Sequence, residues 1–332
     1  MLVGTGVHPV IRCSRCVMPN TVPGAQFSPS GECWWCQTQF PDVSTLGPDA
    51  LRERLASLRD PEAPADVMVA VSGGTDSSYM LIELVRTYGL RVEACTYVQH
   101  WAEESIAQRA AALCDNLHVR HHTIGGGPPP HQAYRGFFRA WLQRPSIVGA
   151  NLACVACKSL TALPQKLAAR RGIRALLWGT SPYEVPPFIA LEWGRSESLP
   201  LWRSAAKFIS SLRASRPLCL SVVRHLPTVL HGCLSLVARS RTVPGISAPG
   251  VRTIHFYEYH PWDPPRMCET VARAMSGGCG GGDPPGWRRD CRFVPIKEYM
   301  FQTMLGADYT TASIANQVRH GLMTRDQGLH RL

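Results

Sequence analysis

A short polar segment between an apolar run and a helical pattern carries the residue types of a phosphate site. Residues 72–77 read Ser-Gly-Gly-Thr-Asp-Ser and directly follow the apolar residues 67–71. Where a strand turns into a helix in this way, outward-pointing backbone N–H groups and the helix dipole favour a bound anion. Gly73 and Gly74 would let the backbone approach a phosphate without a Cβ in the way. Asp76 suits such a site only with Mg²⁺ between its carboxylate and the phosphate, so the segment predicts a magnesium-dependent site.

The spacing of this segment, here named the glycine loop (residues 72–77), separates it from other phosphate loops. Gly-x-x-x-x-Gly-Lys-Ser/Thr and Gly-x-Gly-x-x-Gly are both absent from it. Ser-Gly-Gly-x-Asp-Ser resembles the PP-loop of the N-type ATP pyrophosphatases, the adenine nucleotide alpha-hydrolase superfamily. The resemblance implies that the loop binds the pyrophosphate of ATP, that ATP is cleaved between its α- and β-phosphates, and that the substrate is left adenylated. The alternative is a glycine turn between a core strand and a helix, with no ligand.

Two Cys-x-x-Cys pairs near the N terminus have the spacing of a structural zinc site. Cys13 and Cys16 form the first pair, and Cys33 and Cys36 form the second, with a loop containing Pro and Gly between them. Each pair places two sulfurs on one side of a tight turn, so that two pairs complete a tetrahedron around Zn²⁺. Such a closed site is structural rather than catalytic. The alternative is four reduced structural cysteines, which would leave the doubled spacing without an explanation.

A third pair, Cys154 and Cys157, stands in the middle of the chain and is followed by Lys158. We expect both thiols on one face of a first helical turn, where the helix dipole and Lys158 would lower the thiol pKa. Persulfide transfer, disulfide exchange and ligation of an iron–sulfur cluster all use such thiols, so both are candidate catalytic residues together with Asp76. The alternative is two small cysteines buried in a helix. A cluster also needs a third thiolate, for which the candidates are Cys219, Cys233, Cys268, Cys279 and Cys291.

Apolar runs and helical patterns alternate through the middle of the chain. The predicted strands cover 67–71, 91–97, 117–123 and a run from residue 175, and the first predicted helix covers 78–88. This alternation is typical of an α/β fold with a doubly wound parallel sheet, in which ligands bind at the carboxyl ends of the strands. Gly179 and Thr180 end the last run and would lie at the same edge as the glycine loop. His121 and His122 are expected near that edge too, although a surface or packing role is the plainer interpretation for each.

Composition and charge limit the classes to which the protein can belong. The 332 residues are 45% hydrophobic and 18% charged, which is an ordinary globular composition for one or two domains. No apolar run approaches the roughly 20 residues of a membrane helix, and residues 1–11 lack the features of a signal peptide, so we expect a cytoplasmic protein without a membrane partner.

The net charge is +11, and residues 201–245 combine apolar helical runs with arginines. A basic face for RNA or a partner and a solvated helical subdomain are the two interpretations; without an RNA-binding fingerprint, tRNA is not favoured.

Three separated blocks carry a second resemblance. The first is Arg-Cys-x-Arg-Cys-Val-Met-Pro-Asn at 12–20 with Gly-Glu-Cys-x-x-Cys at 31–36, and the second is the glycine loop. The third runs from Tyr259 through Trp262 and Asp290-Cys291 to residues 318–326. In this order they resemble the N-acetyl sugar amidotransferase family of surface-polysaccharide biosynthesis. The resemblance implies that ATP activates a carboxylate or N-acyl group of a sugar and that ammonia attacks it. Separate glutaminase and channel subunits would supply the ammonia, in keeping with the lack of a glutaminase signature in this chain.

The middle pair of cysteines departs from that family. Cys154 and Cys157 stand at about the distance from the glycine loop seen in the tRNA thiolation enzymes of the same superfamily, which also carry an N-terminal zinc ribbon. That pattern implies an iron–sulfur cluster and sulfur, rather than nitrogen, as the nucleophile. Those enzymes usually have Lys at the position of Thr75, and their terminal blocks differ from the one here. A sulfur transferase acting on tRNA or on a small metabolite is therefore the alternative to an amidotransferase.

The sequence thus predicts a zinc ribbon at 11–40, an ATP pyrophosphatase domain at 62–200 and a mostly helical region at 201–332. The leading function is an ATP-dependent, AMP-forming amidotransferase that uses Mg²⁺ and carries Zn²⁺, and a [4Fe–4S] cluster belongs to the alternative. The residues predicted to contact ATP are Ser72, Gly73, Gly74, Thr75, Asp76, Ser77, Gly179 and Thr180. The predicted zinc ligands are Cys13, Cys16, Cys33 and Cys36. The ligands of a cluster would be Cys154, Cys157 and Cys291.

Overall fold

The computed structural model describes residues 10–22, 24–38, 45–125, 130–181, 183, 201–237, 247–275 and 291–332. Within them, five parallel strands form a sheet in the order β3-β2-β1-β4-β5. The strands are β1 (Val67–Ala70), β2 (Val92–Val98), β3 (Arg120–Gly125), β4 (Ala175–Trp178) and β5 (Arg252–His255). From β1, the sheet extends through β2 to β3 on one side and through β4 to β5 on the other. The topological switch point, where such sheets bind ligands, is therefore the carboxyl end of β1.

Helices surround the sheet and extend beyond it at both ends of the chain. Before and between the strands lie α1 (Trp34–Gln37), α2 (Pro48–Ala56), α3 (Thr75–Arg86), α4 (Glu104–Asn116), α5 (His131–Gln143), α6 (Ile147–Leu152), α7 (Val155–Lys158) and α8 (Leu163–Arg170). After β4 come α9 (Leu201–Ala214), α10 (Arg216–Arg224), α11 (Leu226–Val237), α12 (Pro264–Ala274), α13 (Val294–Leu305), α14 (Tyr309–Arg319) and α15 (Arg325–His330). Short 3₁₀ turns occupy Ser159–Ala162 and Phe256–Glu258.

Strand β1 is apolar at every position because both faces of the sheet are covered. Val67 and Val69 pack into a core with side chains of α3 and α12, whereas Met68 and Ala70 pack on the opposite face with residues of α8 and β4. Successive side chains of a strand point to opposite faces, so a strand buried on both sides is a continuous apolar run. This arrangement confirms the predicted α/β fold with a parallel sheet.

The fifth strand comes from a part of the chain that was predicted to be mostly helical. Residues 252–255 pair with β4 in parallel register and extend the sheet. The division of the chain into three domains at residues 40 and 200 stays a prediction, but residues on both sides of position 200 contribute to one sheet. No helix in the described ranges is long and apolar enough to cross a membrane.

A buried charged cluster ties β2 to its neighbours at the amino end of the sheet. Glu93 is 3% exposed and accepts hydrogen bonds from Arg171 at 2.6 and 3.0 Å, and it lies 2.7 Å from the imidazole of His122. Burial opposes ionisation of Glu93, but the Arg171 guanidinium and His122 outweigh it and lower the pKa of this carboxyl. His122 therefore lies away from the ligand-binding edge, contrary to expectation. The His121 ring, in contrast, lies 2.9 Å from the Thr96 hydroxyl, which donates to the carbonyl of Val71, the residue before the glycine loop.

Candidate active site

The glycine loop turns the chain from the carboxyl end of β1 into α3. Gly73 has φ of +81°, a left-handed conformation that L side chains rarely adopt, and the extended Gly74 is the N-cap of α3. Helix α3 begins at Thr75, three residues before its predicted start at residue 78, so Thr75 and Asp76 belong to the first helical turn. Among the described residues, no side chain caps this helix end. Its backbone N–H groups have the arrangement that an anion site requires.

Two serine hydroxyls hold the glycine loop in shape. The Ser77 hydroxyl donates to the carbonyl oxygen of Gly74 at 3.2 Å and accepts from the backbone N–H of Ser72 at 3.1 Å. The hydroxyls of Ser72 and Ser77 lie 3.1 Å apart. Ser77 is buried and Ser72 is exposed. Both hydroxyls therefore shape the loop through its own hydrogen bonds, since the Gly74 N–H also donates to the Ser72 hydroxyl at 3.3 Å.

Two aromatic residues, which the sequence analysis did not select, hold Asp76. The indole N–H of Trp262 donates to a carboxylate oxygen of Asp76 at 3.1 Å, and the Tyr257 hydroxyl donates to its backbone carbonyl at 2.9 Å. Both aromatic residues are buried and follow β5, at the same edge of the sheet as the glycine loop. Trp262 belonged to the third block of the family resemblance, but nothing in the sequence linked it to Asp76.

Gly179 brings the end of β4 directly against the glycine loop. A Cβ at this position would lie 3.1 Å from Ser77 Cα and 3.2 Å from both Ser77 N and Asp76 O. The approach is therefore one that only glycine permits without displacing the first turn of α3. Thr180 follows at the same edge and is partly exposed, and its contact with a nucleotide stays a prediction. Ser181 is buried and its hydroxyl accepts from the backbone N–H of Tyr183 at 3.2 Å, which gives it a structural role.

A cavity of about 60 Å³ lies beyond the carboxyl end of β2, and three cysteines from distant parts of the sequence line it. These are Cys154, Cys157 and Cys291. An isolated bridge between Ala102 and Cys291 brings the last of them to this position, and Arg292 N–H donates to the Trp101 carbonyl at 2.8 Å. The other candidate third ligands in the described residues, Cys219, Cys233 and Cys268, lie on α10, α11 and α12, and Cys279 falls outside the described ranges.

The environment of Cys157 differs from the one expected. Cys154 lies in the turn between α6 and α7, and Cys157 lies in the single turn of α7, so the two do not share the first turn of a long helix. Burial raises the pKa of the Cys157 thiol, although a hydrogen bond with the Tyr134 hydroxyl, 3.0 Å away, opposes the shift. The expected lowering of the thiol pKa is therefore wrong for Cys157, which is favoured as a thiol until a metal or a base removes its proton.

The donor set of this cavity suits a cluster better than a single ion. In the described residues, the N-terminal set is the one group of three or more candidate ligands gathered closely enough to hold a single ion, and the three cavity thiols do not form a second such group. An iron–sulfur cluster binds each thiolate through a different iron and accepts a wider spacing than a single ion does. Three sulfur donors in one partly apolar cavity fit the chemistry of a cluster, which stays a prediction.

The four N-terminal cysteines form a compact and buried metal-type site. Cys13, Cys16, Cys33 and Cys36 place their sulfurs within 4.8 Å of one another, and the Sγ atoms of two pairs lie 3.7 Å apart. Tetrahedral zinc with Zn–S bonds of about 2.3 Å separates its sulfurs by about 3.8 Å, which these pairs match closely. Hydrogen bonds from Cys33 and Cys36, together with the Arg319 guanidinium, lower the pKa of the Cys16 thiol. The four cysteines therefore fit a tetrahedral metal ion such as Zn²⁺, and the identity of the ion stays a prediction.

The C-terminal helices enclose this cysteine site. The Arg325 side chain donates through Nε to the carbonyls of Cys13 and Cys16 at 3.0 and 3.1 Å, and Arg319 donates to Cys16 Sγ at 3.5 Å. Apolar residues of α13 and α14, including Phe301, share one buried cluster with the cysteines. The ribbon is therefore built into the fold by the third block of the family resemblance.

Comparisons with known proteins identify only distant likenesses. No protein-family model and no curated protein match this chain. Among solved structures, it is similar to an NH3-dependent NAD synthetase from Campylobacter jejuni (16% identity, TM-score 0.30), over 45% of this chain and 57% of that one. It is also similar to an NMN synthetase from Francisella tularensis (12%, TM-score 0.36), over 86% of this chain and 96% of that one. A third similar structure is a U34-tRNA thiolase from Methanococcus maripaludis with its [4Fe-4S] cluster (11% identity, TM-score 0.40), over 98% of this chain and 90% of that one. Likenesses this weak identify neither a substrate nor a reaction for this chain.

Proposed function

We propose that this chain is an ATP-dependent amidotransferase that forms AMP. It adenylates a carbonyl or carboxylate oxygen of a sugar, releases pyrophosphate, and transfers ammonia to the activated carbon with release of AMP. Separate glutaminase and channel subunits supply the ammonia. The observation that carries the proposal is the glycine loop at the topological switch point, with Asp76 held by Trp262 in the first turn of α3.

The three blocks of the family resemblance meet in space, which supports the choice of an amidotransferase. Trp262 of the third block donates to Asp76 in the glycine loop, and Arg325 of the same block donates to the carbonyls of Cys13 and Cys16 in the first. The C-terminal block thus contacts both of the others. Residues that carry the resemblance form one contiguous structure rather than three unrelated motifs.

The geometry assigns a task to each part of the loop. Gly73 and Gly74 bring the backbone close to the pyrophosphate of ATP, where N–H groups stabilise charge as pyrophosphate leaves; one such donor contributes roughly 3 to 4 kcal/mol in comparable sites. Asp76, oriented by Trp262, would hold Mg²⁺, which offsets the negative charge of the phosphates. The acceptor oxygen attacks the α-phosphorus, and the bond from that phosphorus to the bridging oxygen breaks. Ammonia then displaces AMP from the activated carbon.

The test is to measure AMP and pyrophosphate with N-acetyl sugars and sugar carboxylates as acceptors and isotopically labelled ammonium as the donor. We expect labelled nitrogen in the product and no ADP. Asp76→Asn should abolish AMP formation in a folded protein, whereas Asp49→Asn, at an exposed position on α2, should not change it. ADP and phosphate as products would refute the proposal, and AMP formation by Asp76→Asn would refute the role of Asp76.

A sulfur transferase acting on tRNA or on a metabolite is the second candidate, and the thiol cavity favours it. Cys154, Cys157 and Cys291 converge at the carboxyl edge of the sheet that carries the glycine loop. The discriminating measurement is iron, acid-labile sulfide and zinc in protein purified without oxygen. Zinc alone would support the amidotransferase. Iron and sulfide that are lost in Cys154→Ser but retained in Cys219→Ser would support sulfur transfer.

A further inference from the structure

Helices α9 to α11 carry the densest group of exposed apolar side chains in the described residues. Leu226, Leu230 and Leu234 follow one another at intervals of four along α11 and are 43%, 51% and 43% exposed. Residues spaced by four lie on one face of a helix, so these leucines form a stripe. Ile209 on α9 and Leu220 and Val223 on α10 are exposed as well, and the leucine stripe of α11 is here named the outer face.

The outer face is separate from the face that attaches these helices to the protein. Leu218, Val222 and Val229 are buried in a cluster with Phe137 and other residues of α5 to α7. Gly232 lets α11 lie so close to α7 that a Cβ there would collide with the Val155 backbone. The helices are therefore firmly docked through one apolar side, and they present a second apolar side outwards.

The charged side chains of the segment that carries the outer face all have one sign. From residue 198 to residue 257 the sequence contains no Asp or Glu. Its basic residues are Arg203, Lys207, Arg213, Arg216, Arg224, Arg239, Arg241 and Arg252. Of these, Arg213, Arg216 and Arg224 lie within the described helices and are exposed. A segment that combines a stripe of exposed leucines with exposed arginines and no acidic residue suits the surface of an anionic membrane, where a negatively charged layer covers an apolar one.

We propose that the outer face binds the surface of a membrane containing anionic lipids. The leucine stripe enters the boundary between headgroups and acyl chains, and the arginines contact the lipid phosphates. RNA would pair with the arginines but offers no apolar layer for the leucines. The lack of a long apolar run in the sequence led to the expectation of no membrane partner, but it does not argue against binding at the surface. The proposal is independent of the reaction catalysed.

The test is sedimentation of the full chain with vesicles of phosphatidylcholine, with and without phosphatidylglycerol. We expect binding that requires the anionic lipid and falls at least about tenfold in Leu226→Ser/Leu230→Ser. Arg213→Gln/Arg216→Gln should lose about tenfold in affinity for anionic vesicles. Leu46→Ser, an exposed leucine outside the outer face, is the matched control and should bind normally. Circular dichroism spectra and Tm values of all variants should match those of the wild type, since every substituted side chain is exposed.

Three outcomes would overturn the proposal. The first is wild-type binding to anionic vesicles by Leu226→Ser/Leu230→Ser, or no vesicle binding by the wild type. The second is a concentration-dependent dimer in sedimentation velocity that the leucine substitutions dissociate, because a second copy would then cover the outer face. The third is salt-sensitive binding of single-stranded RNA that needs Arg213 and Arg216 but ignores the leucines, with no vesicle binding.

Discussion

Replacing Gly179 by alanine should weaken nucleotide binding, because the added Cβ would press against the backbone of Asp76 and Ser77 in the glycine loop. The added Cβ would lie 3.1 to 3.2 Å from three backbone atoms of Asp76 and Ser77, whereas ordinary contacts of a Cβ are 3.4 to 4 Å. All three atoms belong to the first turn of α3, so no flexible side chain can move aside. Either α3 or the end of β4 must shift by a few tenths of an ångström.

The expected magnitude follows from the cost of overpacking. Inserting a methyl group into a well-packed interior typically costs about 1 to 3 kcal/mol. If the shift falls on the glycine loop, its N–H groups and Asp76 leave the geometry that we propose for binding the phosphates and Mg²⁺. A loss of the same size in binding would lower the affinity for MgATP by roughly 5- to 150-fold, since about 1.4 kcal/mol corresponds to a factor of ten.

Isothermal titration of MgATP, together with the thermal unfolding midpoint, separates this effect from a general loss of stability. The matched control is Gly172→Ala, where nothing lies within 4 Å of the added Cβ but φ is +71°. Its backbone strain should cost about 1 to 2 kcal/mol of stability and leave the affinity for MgATP unchanged. Wild-type affinity in Gly179→Ala, or an equal loss of affinity in both variants, would refute the reasoning.

Three further substitutions address the other contacts of the fold. Trp262→Phe keeps an aromatic ring but removes the N–H that orients Asp76, so several-fold more Mg²⁺ should be needed for ATP binding; an unchanged magnesium titration would contradict this. Cys33→Ser removes one of four clustered thiols, so bound zinc and Tm should both fall, as measured by elemental analysis and calorimetry. Glu93 has a lowered pKa in the folded chain, so its stabilising contribution is present above its ordinary value of 4.5 and is lost as pH falls through the lower folded pKa. Glu93→Gln should therefore be less stable than the wild type at neutral pH, with the difference narrowing below pH 4.5 in acid unfolding curves.

Local patterns in the sequence were sufficient to predict the fold class and to locate the glycine loop. The apolar run at 67–71, the two glycines and the alternation of strands with helices depend on neighbouring residues and on the burial of both sheet faces, so they can be recognised from sequence. The start of α3 was predicted three residues late, at residue 78, because Thr75 and Asp76 were interpreted as loop residues. Their helical conformation follows from the extended Gly74, which serves as the N-cap.

Contacts between distant segments could not be predicted in this way. Trp262 reaches Asp76 only because β5 joins the sheet beside β4 and ends at the same edge, and the sequence analysis did not assign the strand at 252–255 to the sheet. Cys291 was one of five candidates for a third thiolate, and its bridge to Ala102 brings it to the cavity. In both cases the deciding information is which strand or loop lies beside which, a property of topology rather than of local composition.

Hydrogen bonds also connect the cysteine site through α14 to Tyr183. Arg319 donates to Cys16 Sγ and to the side-chain carbonyl of Asn316, and Asn316 donates through its amide to the backbone carbonyl of Tyr183 at 3.1 Å. Asn316 and Tyr183 are both buried, so these hydrogen bonds are shielded from water. One turn of α14 thus connects the cysteine site with Tyr183, which lies shortly after β4 and Gly179.

From Tyr183 the contacts continue to the glycine loop, because its ring packs against Trp262 with centroids 5.4 Å apart and Trp262 donates to Asp76. A path of contacts becomes an energetic coupling only if a change at one end alters the other. Cys33→Ser supplies that change at a position that touches neither Trp262 nor the glycine loop. If loss of zinc loosens α14, the magnesium titration of Cys33→Ser should shift in the same direction as that of Trp262→Phe, and the double variant should show less than the sum of the two effects. Additive effects would mean that the ribbon stabilises the fold without supporting Asp76.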